Sequence, residues 1–115
     1  MLKFKYMWKN DCTAEVTADI STRKVTVVNH SDDWLMRPFG LNESPTLDDL
    51  IKFFESRCFP QARHNCKQLL ADLGLQTYDP LDICMVTRGR QWDDYNWILF
   101  DGEDVDYERD VKLRD

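Results

Sequence analysis

The sequence has no run of about 18 apolar residues, which excludes an ordinary membrane-spanning helix. Residues 1–10 alternate lysine with aromatic side chains and lack the cationic head, apolar centre and small-residue cleavage site of a secretory signal. The four cysteines include no Cys-x-x-Cys pair. We therefore expect a cytoplasmic protein whose cysteines stay free thiols in a reducing compartment.

The sequence also lacks the common catalytic motifs. It has no phosphate-binding glycine loop, no dinucleotide-binding turn, no hydrolase nucleophile elbow and no His-Glu-x-x-His helix. His64 and Cys66 are two positions apart, so on a helix they point to different faces and do not converge on zinc. A Cys58–His64 nucleophile has no orienting partner in the sequence pattern. We expect a protein that is not an enzyme and that uses no metal or other cofactor.

The sequence also has no excess of positive charge. The 115 residues carry 15 Lys and Arg against 21 Asp and Glu, which gives a net charge of −6. General nucleic-acid binding needs clustered Lys and Arg to neutralise phosphates, so direct binding of nucleic acid is not expected. An acidic chain instead favours association with basic proteins.

The apolar content is sufficient for one packed domain. Hydrophobic residues make up 43% of the chain and aromatic residues 12%, so we expect residues 1–115 to fold as a single domain. The negative charge is concentrated at the C-terminal end, where residues 76–115 hold 11 acidic and 5 basic side chains. Residues 101–110 alone contain six carboxylates. We expect residues 101–115 to be an acidic, solvated C-terminal tail.

Apolar and polar residues alternate in three N-terminal runs, at residues 2–8, 12–20 and 24–29. This period of two predicts three strands, and the polar turn before the third run favours an antiparallel meander. Residues 30–45 are predicted to be a loop. The apolar run at residues 95–100 predicts a fourth strand that returns to the sheet.

Three helices are predicted between the third and fourth strands, at residues 46–56, 61–73 and 80–87. Either Thr46 as N-cap or Pro45 as first helical residue marks the start of the first helix. Proline and glycine residues bound the other two helices.

The order βββαααβ predicts an α+β domain in which three helices cover one face of a small antiparallel sheet. Residues at helical spacing are expected to point inward from each helix. These residues are Leu47, Leu50, Ile51 and Phe54 in the first helix, Ala62, Cys66, Leu69, Leu70 and Leu73 in the second, and Leu81, Cys84 and Met85 in the third.

Two groups of arginines interrupt the acidic background. Arg57 and Arg63 flank the predicted break between the first two helices, and Arg88 and Arg90 lie close to Trp92. Arginine beside an exposed aromatic ring can stack on a base or hold a phosphate or carboxylate. The same arginines can instead cap helix C-termini or pair with Asp93 and Asp94.

Several short motifs occur between residues 45 and 100. They are Glu55-Ser-Arg-Cys-Phe-Pro60 followed by Arg63 and Asn65, then Asp79-Pro-Leu81, Arg88-Gly-Arg90 and Asp93-Asp-Tyr-Asn-Trp-Ile98. With these motifs the chain resembles short reading frames on mobile elements of Firmicutes, and the N-terminal segments of some HipA-like kinase proteins. The resemblance implies a stand-alone accessory module carried by phage or conjugative elements. It does not imply kinase activity, because no segment here supplies an ATP-binding lysine, a catalytic aspartate or metal ligands.

These features suggest three alternative functions. The preferred one is a non-enzymatic inhibitor that binds a basic, nucleic-acid-handling host protein, as anti-CRISPR proteins bind effector nucleases. The alternatives are an antitoxin-like module that binds a HipA-related kinase, and a small nucleic-acid-binding accessory protein. The predicted contact residues are Asp101, Glu103, Asp104 and Asp106 for the inhibitor, Arg57 and Arg63 for the antitoxin, and Arg88, Arg90 and Trp92 for nucleic acid. A homodimer is also expected if the first strand has a free edge.

Overall fold

A computed structural model describes residues 1–91 and 94–112. They form one four-stranded sheet with the strand order β3-β2-β1-β4, in which every pair of neighbours is antiparallel. The strands are β1 (Leu2–Trp8), β2 (Asp11–Asp19), β3 (Lys24–Asn29) and β4 (Asn96–Phe100), and the helices are α1 (Leu47–Ser56), α2 (Cys66–Asp72) and α3 (Pro80–Thr87). The predicted α+β class, with three N-terminal strands and one C-terminal strand, is confirmed.

The alternating pattern of β1 and β2 builds the main core on one face of the sheet. Phe4 lies opposite Val16 and Tyr6 lies opposite Ala14 across the β1–β2 ladder, and all four side chains are buried. Apolar side chains of α1 close this face, because Phe4 stacks on Phe53 with ring centroids 5.9 Å apart. Period-two alternation therefore decides which side of the sheet the helices cover.

The start of α1 follows the capping-box prediction. The Thr46 hydroxyl accepts a hydrogen bond from the Asp49 amide, and the Asp49 carboxylate accepts one from the Thr46 amide. The bond from the Thr46 amide to the carboxylate is the main cause of a lowered pKa of Asp49. The predicted inward stripe needs one correction, since Phe53 is buried and Ile51 is exposed. The buried face of α1 centres on Leu50 and Phe54, and Ile51 lies at its outer margin.

The second helix is shorter than predicted and lies outside the main core. It begins at Cys66, because residues 60–65 form turns in which the Arg63 amide bonds to Pro60 and the Cys66 amide bonds to Arg63. The predicted apolar face is confirmed within the helix, since Leu70 is buried, Cys66, Leu69 and Leu73 are half-buried, and the other residues of α2 are exposed. Ala62, which was also expected to point inward, is exposed in the turns before the helix. The main core cluster contains no α2 residue. The sheet face is therefore covered chiefly by α1 and α3.

The third helix starts as predicted but is rotated about its axis relative to the expected orientation. The Asp79 carboxylate accepts hydrogen bonds from the amides of residues 81 and 82, which caps the helix ahead of Pro80. Ile83 and Cys84 are buried, whereas Met85, which was expected to point inward, is exposed. The buried side of α3 is therefore formed by Ile83 and Cys84, and Met85 lies on the side that faces solvent.

Gly89 lies where the chain passes from α3 toward β4, and its tight surroundings lead to a stability prediction. Its φ is +62°, and an added Cβ would lie 2.7 Å from Cδ1 of the buried Ile98. Gly74 also has a positive φ, of +78°, but no heavy atom lies within 4 Å of its would-be Cβ. Both alanine variants carry the backbone cost, and only Gly89→Ala adds overpacking.

We expect Gly89→Ala to lower the free energy of unfolding by about 2 kcal/mol more than Gly74→Ala. Urea denaturation of the two variants, followed by circular dichroism, measures this difference. Equal destabilisation would show that Ile98 moves aside without cost.

The described residues also bear on membrane insertion and on metal binding. None of the described helices combines the length and the apolarity needed to cross a membrane. Within residues 1–91 and 94–112, no three His, Cys, Asp or Glu side chains come together as a metal site would require.

Candidate functional site

The acidic C-terminal segment packs against the second face of the sheet. Tyr107 and Val111 are only 4% and 2% exposed, and they form a small core with Met7 of β1 and Trp97 of β4. The segment turns through the single π-helical turn Tyr107–Val111, in which the amide of residue 112 bonds to the Tyr107 carbonyl. The expectation of a solvated tail needs a correction at Tyr107 and Val111, which anchor the segment to the sheet, whereas most of its charged side chains are exposed.

Polar contacts fix the position of this segment at its ends. The side-chain oxygen of Asn10, in the β1–β2 turn, accepts a hydrogen bond of 2.9 Å from the Tyr107 amide. The Asp106 carboxylate caps the π-helical turn by accepting from the Arg109 amide, and the Asp110 carboxylate accepts from the Asp106 amide. Hydrogen bonds from Arg109 and from the Asp106 backbone lower the pKa of Asp110. The segment is held in one conformation by bonds to the sheet and within itself.

The four predicted carboxylates have different roles. Glu103 accepts from the Phe100 amide and lies 3.6 Å from Arg88, and Asp106 is the cap just described. Asp101 and Asp104 are exposed, and their carboxylates make no hydrogen bond or ion pair with any residue that the structure describes. Two of the four predicted contact residues are thus free to meet a partner, and two maintain the shape of the segment.

The whole acidic surface has few internal counter-charges. Residues 101–112 carry six carboxylates and two basic side chains. Arg109 pairs with Asp110 at 2.8 Å, and Lys112 pairs with Glu108 at 3.1 Å. We call Asp101, Asp104, Glu108 and Asp110, which are all exposed, the acidic surface. The segment that carries these four carboxylates packs through Tyr107 and Val111 on the side of the sheet opposite α1 and α3.

Arg57 is a structural residue, which corrects its prediction as a partner contact. It is 7% exposed, and its guanidinium makes a bidentate pair with Asp94 at 2.8 and 2.9 Å. It also donates to the Gly89 carbonyl at 2.8 Å and to the Asn96 carbonyl at 2.9 Å. Its Cζ lies 5.7 Å from the centroid of the Tyr6 ring. These bonds tie the end of α1 to the segment before β4, and they leave little of the guanidinium for a partner.

The other predicted basic residues lie in three different environments. Arg63 is exposed in the turn after Pro60. Arg88 is half-buried beside Glu103, and Arg90 lines a shallow cavity of about 230 Å³ together with Cys58 and Thr87. Trp92 lies outside the described residues. Arg63 is thus exposed where Arg57 is buried, and Arg88 is paired with Glu103 of the acidic segment.

Two cysteines that no sequence pattern relates lie in contact. The Sγ atoms of Cys58 and Cys84 lie 3.7 Å apart, although 26 positions separate the residues. The hydrogen bond between the thiols lowers the pKa of Cys58 and raises that of Cys84. The other hydrogen-bond neighbours of the Cys58 thiol among the described residues are the carbonyls of Phe54 and Pro80, so His64 is not positioned as its base.

The anchors of the acidic segment were also missed, although a signal for them was present. Tyr107 and Val111 are spaced four positions apart within an acidic run, which is the spacing of one side of a helical turn. No sequence pattern pointed to Asn10 as an anchor.

A scan against protein-family models, a search of curated proteins and a search of solved structures each gave no match to this chain. Function is therefore inferred from the surface chemistry.

Proposed function

We propose that this protein is a non-enzymatic inhibitor that acts in the cytoplasm and binds a basic, nucleic-acid-handling host protein through its acidic surface, in the manner of anti-CRISPR proteins. The observation that carries the proposal is the packing of the acidic segment on the sheet through Tyr107 and Val111. A flexible acidic tail would lose conformational entropy when it bound. A segment that is already ordered presents its carboxylates in a fixed arrangement, which reduces that cost.

The distribution of charge also supports this proposal. A protein that handles nucleic acid has a channel lined by Lys and Arg, and a negative surface of matching position is attracted into it. The carboxylates of Asp101 and Asp104 are available for such contacts, since both residues are exposed and neither carboxylate is hydrogen-bonded or ion-paired to a described residue. Electrostatic attraction of this kind raises the association rate and weakens as salt is added.

The proposal predicts a specific effect of removing two charges. At about 0.5 kcal/mol for each exposed ion pair, the double variant Asp101→Asn/Asp104→Asn is expected to bind the partner roughly fivefold more weakly. The matched control is Asp32→Asn/Glu43→Gln, which removes the same charge from two exposed positions outside the acidic surface. This control is expected to bind like the wild-type protein.

The partner is first captured from a Firmicutes host lysate with the tagged protein at low salt and then identified by mass spectrometry. Calorimetry with the purified partner measures the affinity of the three proteins at two salt concentrations. A basic nucleic-acid-binding partner, displaced by added nucleic acid and sensitive only to the Asp101/Asp104 change, supports the proposal. Equal affinity of both double variants, or a partner without a basic surface, contradicts it.

The antitoxin-like alternative receives less support from the geometry. It relied on Arg57 and Arg63 as contacts to a HipA-related kinase, and the buried Arg57 guanidinium already makes four hydrogen bonds, to Asp94 and to two carbonyls. Arg63 alone is exposed. Capture of a kinase whose binding is lost in Arg63→Ala would favour this alternative over the acidic inhibitor.

A further inference from the structure

The sheet has one edge that the described part of the chain leaves uncovered. β1 lies between β2 and β4, so the expected dimer through the first strand is wrong. At the β4 edge, the Ile98 amide donates to the Arg88 carbonyl at 2.7 Å. At the β3 edge, no hydrogen bond joins the outward backbone groups to any described residue. β3 is therefore the edge on which another strand can add.

The outward groups of β3 follow from the ladder pattern. The His30 amide donates to the Thr13 carbonyl at 2.8 Å, so residues 13 and 30 form a hydrogen-bonded pair. In an antiparallel ladder such pairs alternate, and the β2–β3 register has no bulge. The amide and carbonyl groups of Val25, Val27 and Asn29 therefore point away from β2. Each of these three residues therefore presents one N–H donor and one C=O acceptor along the outer edge of the sheet.

We propose that this edge binds the β3 strand of a second copy of the chain, giving a two-fold symmetric dimer with a continuous eight-stranded sheet. With Val27 on the two-fold axis, Val27 meets its own copy and Val25 meets Asn29 of the other copy. The outward N–H and C=O groups of Val25, Val27 and Asn29 in one copy then bond to those of Asn29, Val27 and Val25 in the other copy. In this register none of these outward backbone groups is left without a partner.

The side chains beside the edge fit the same register. Lys24 of one copy comes opposite His30 of the other, whose ring nitrogen lies 2.8 Å from the Glu15 carboxylate. Lys24 thus approaches a carboxylate on the neighbouring strand. Val28, which is 51% exposed, comes opposite Thr26 and loses part of its contact with water. Opposite charges and an apolar contact favour a second copy as the occupant of this edge.

The dimer would place both acidic surfaces on one side of the joined sheet. The two-fold axis of an antiparallel pair is perpendicular to the sheet, so each face continues across the junction. Two acidic surfaces on one rigid body would bind a large basic partner bivalently. The dimer itself rests only on the β3 edge and stands independently of the proposed function.

Cysteine cross-linking tests the register directly. Residues 26 and 28 of opposite copies form a non-hydrogen-bonded pair, whose Cα separation of about 4.5 Å suits a disulfide. Thr26→Cys and Val28→Cys proteins are mixed and oxidised with oxidised glutathione, and the products are separated by non-reducing electrophoresis. A covalent dimer of twice 13.7 kDa is expected in the mixture but not with either protein alone. Cross-linking of Thr26→Cys alone, or of neither, would overturn this register.

A charge reversal tests the dimer without new cysteines. Lys24→Glu is expected to weaken dimerisation at least fivefold in analytical ultracentrifugation, and Lys24→Glu/Glu15→Lys is expected to restore it. Lys67→Glu, on exposed α2, is the control and should dimerise like the wild-type protein. Circular dichroism verifies that each variant is folded. A wild-type protein that sediments as a monomer throughout the concentration range would refute the dimer.

Discussion

Arg57→Ala is expected to destabilise the fold by about 3 kcal/mol, because it removes a buried guanidinium from three different acceptors. The Asp94 carboxylate loses its two bonds from Arg57 and keeps the one from the Asn96 amide, and the carbonyls of Gly89 and Asn96 lose their bonds from the guanidinium. An alanine side chain offers none of these groups a substitute. Since a domain of this size is stable by only about 5–15 kcal/mol, the loss is a large fraction of the total.

Chemical denaturation monitored by circular dichroism measures this effect, and two variants separate its causes. Arg63→Ala removes an exposed arginine nearby and is expected to change stability by less than about 0.5 kcal/mol. Asp94→Asn removes the ion pair and retains the bonds from Arg57 to the two carbonyls, so it should cost less than Arg57→Ala. If Arg57→Ala had the same free energy of unfolding as Arg63→Ala, the hydrogen bonds of Arg57 between α1 and the residues around the start of β4 would not stabilise the fold.

Trp97→Ala is expected to cost about 3–5 kcal/mol and to release the acidic segment from the sheet. Trp97 is completely buried, and its indole nitrogen donates to the Lys9 carbonyl at 2.6 Å. It lies in the small core with Tyr107 and Val111, so its removal leaves a cavity beneath the segment. Amides of the π-helical turn should then exchange with deuterium much faster than in the wild-type protein.

The matched control for this change is Trp34→Ala. Trp34 is 51% exposed in the 3-10 helix Trp34–Met36, so its truncation is expected to leave global stability nearly unchanged. Trp97→Phe keeps most of the buried volume and loses the bond to Lys9, and an intermediate effect is expected. Slow exchange at Tyr107–Val111 in Trp97→Ala would show that the acidic segment is held by its other bonds alone.

These two predictions bear on function in different ways. Loss of Arg57 weakens the main core and leaves the anchors of the acidic surface in place. Loss of Trp97 removes the support of the acidic surface itself, so it should reduce partner binding even under conditions in which the sheet stays folded. Comparing the binding of the two variants at equal folded fraction therefore separates global stability from the ordering of the acidic segment.

The local features of this protein follow from its sequence. Alternating side chains predict β1, β2 and β3 because a strand turns successive residues to opposite faces. The spacing of Thr46 and Asp49 predicts the start of α1, because the capping bonds lie within one turn. These features need no information from elsewhere in the chain, so the α+β class and most element boundaries were predictable.

Only the tertiary structure decided the roles of the charged residues. Arg57 and Asp94 are 37 positions apart, and Asn10 and Tyr107 are 97 positions apart, so no local pattern relates them. The sequence alone determined that residues 101–110 are acidic and that arginines flank Pro60. Whether an arginine is buried, or an acidic segment is docked, depends on what the fold brings against it. Burial and pairing are set by long-range packing, which short-range periodicity does not encode.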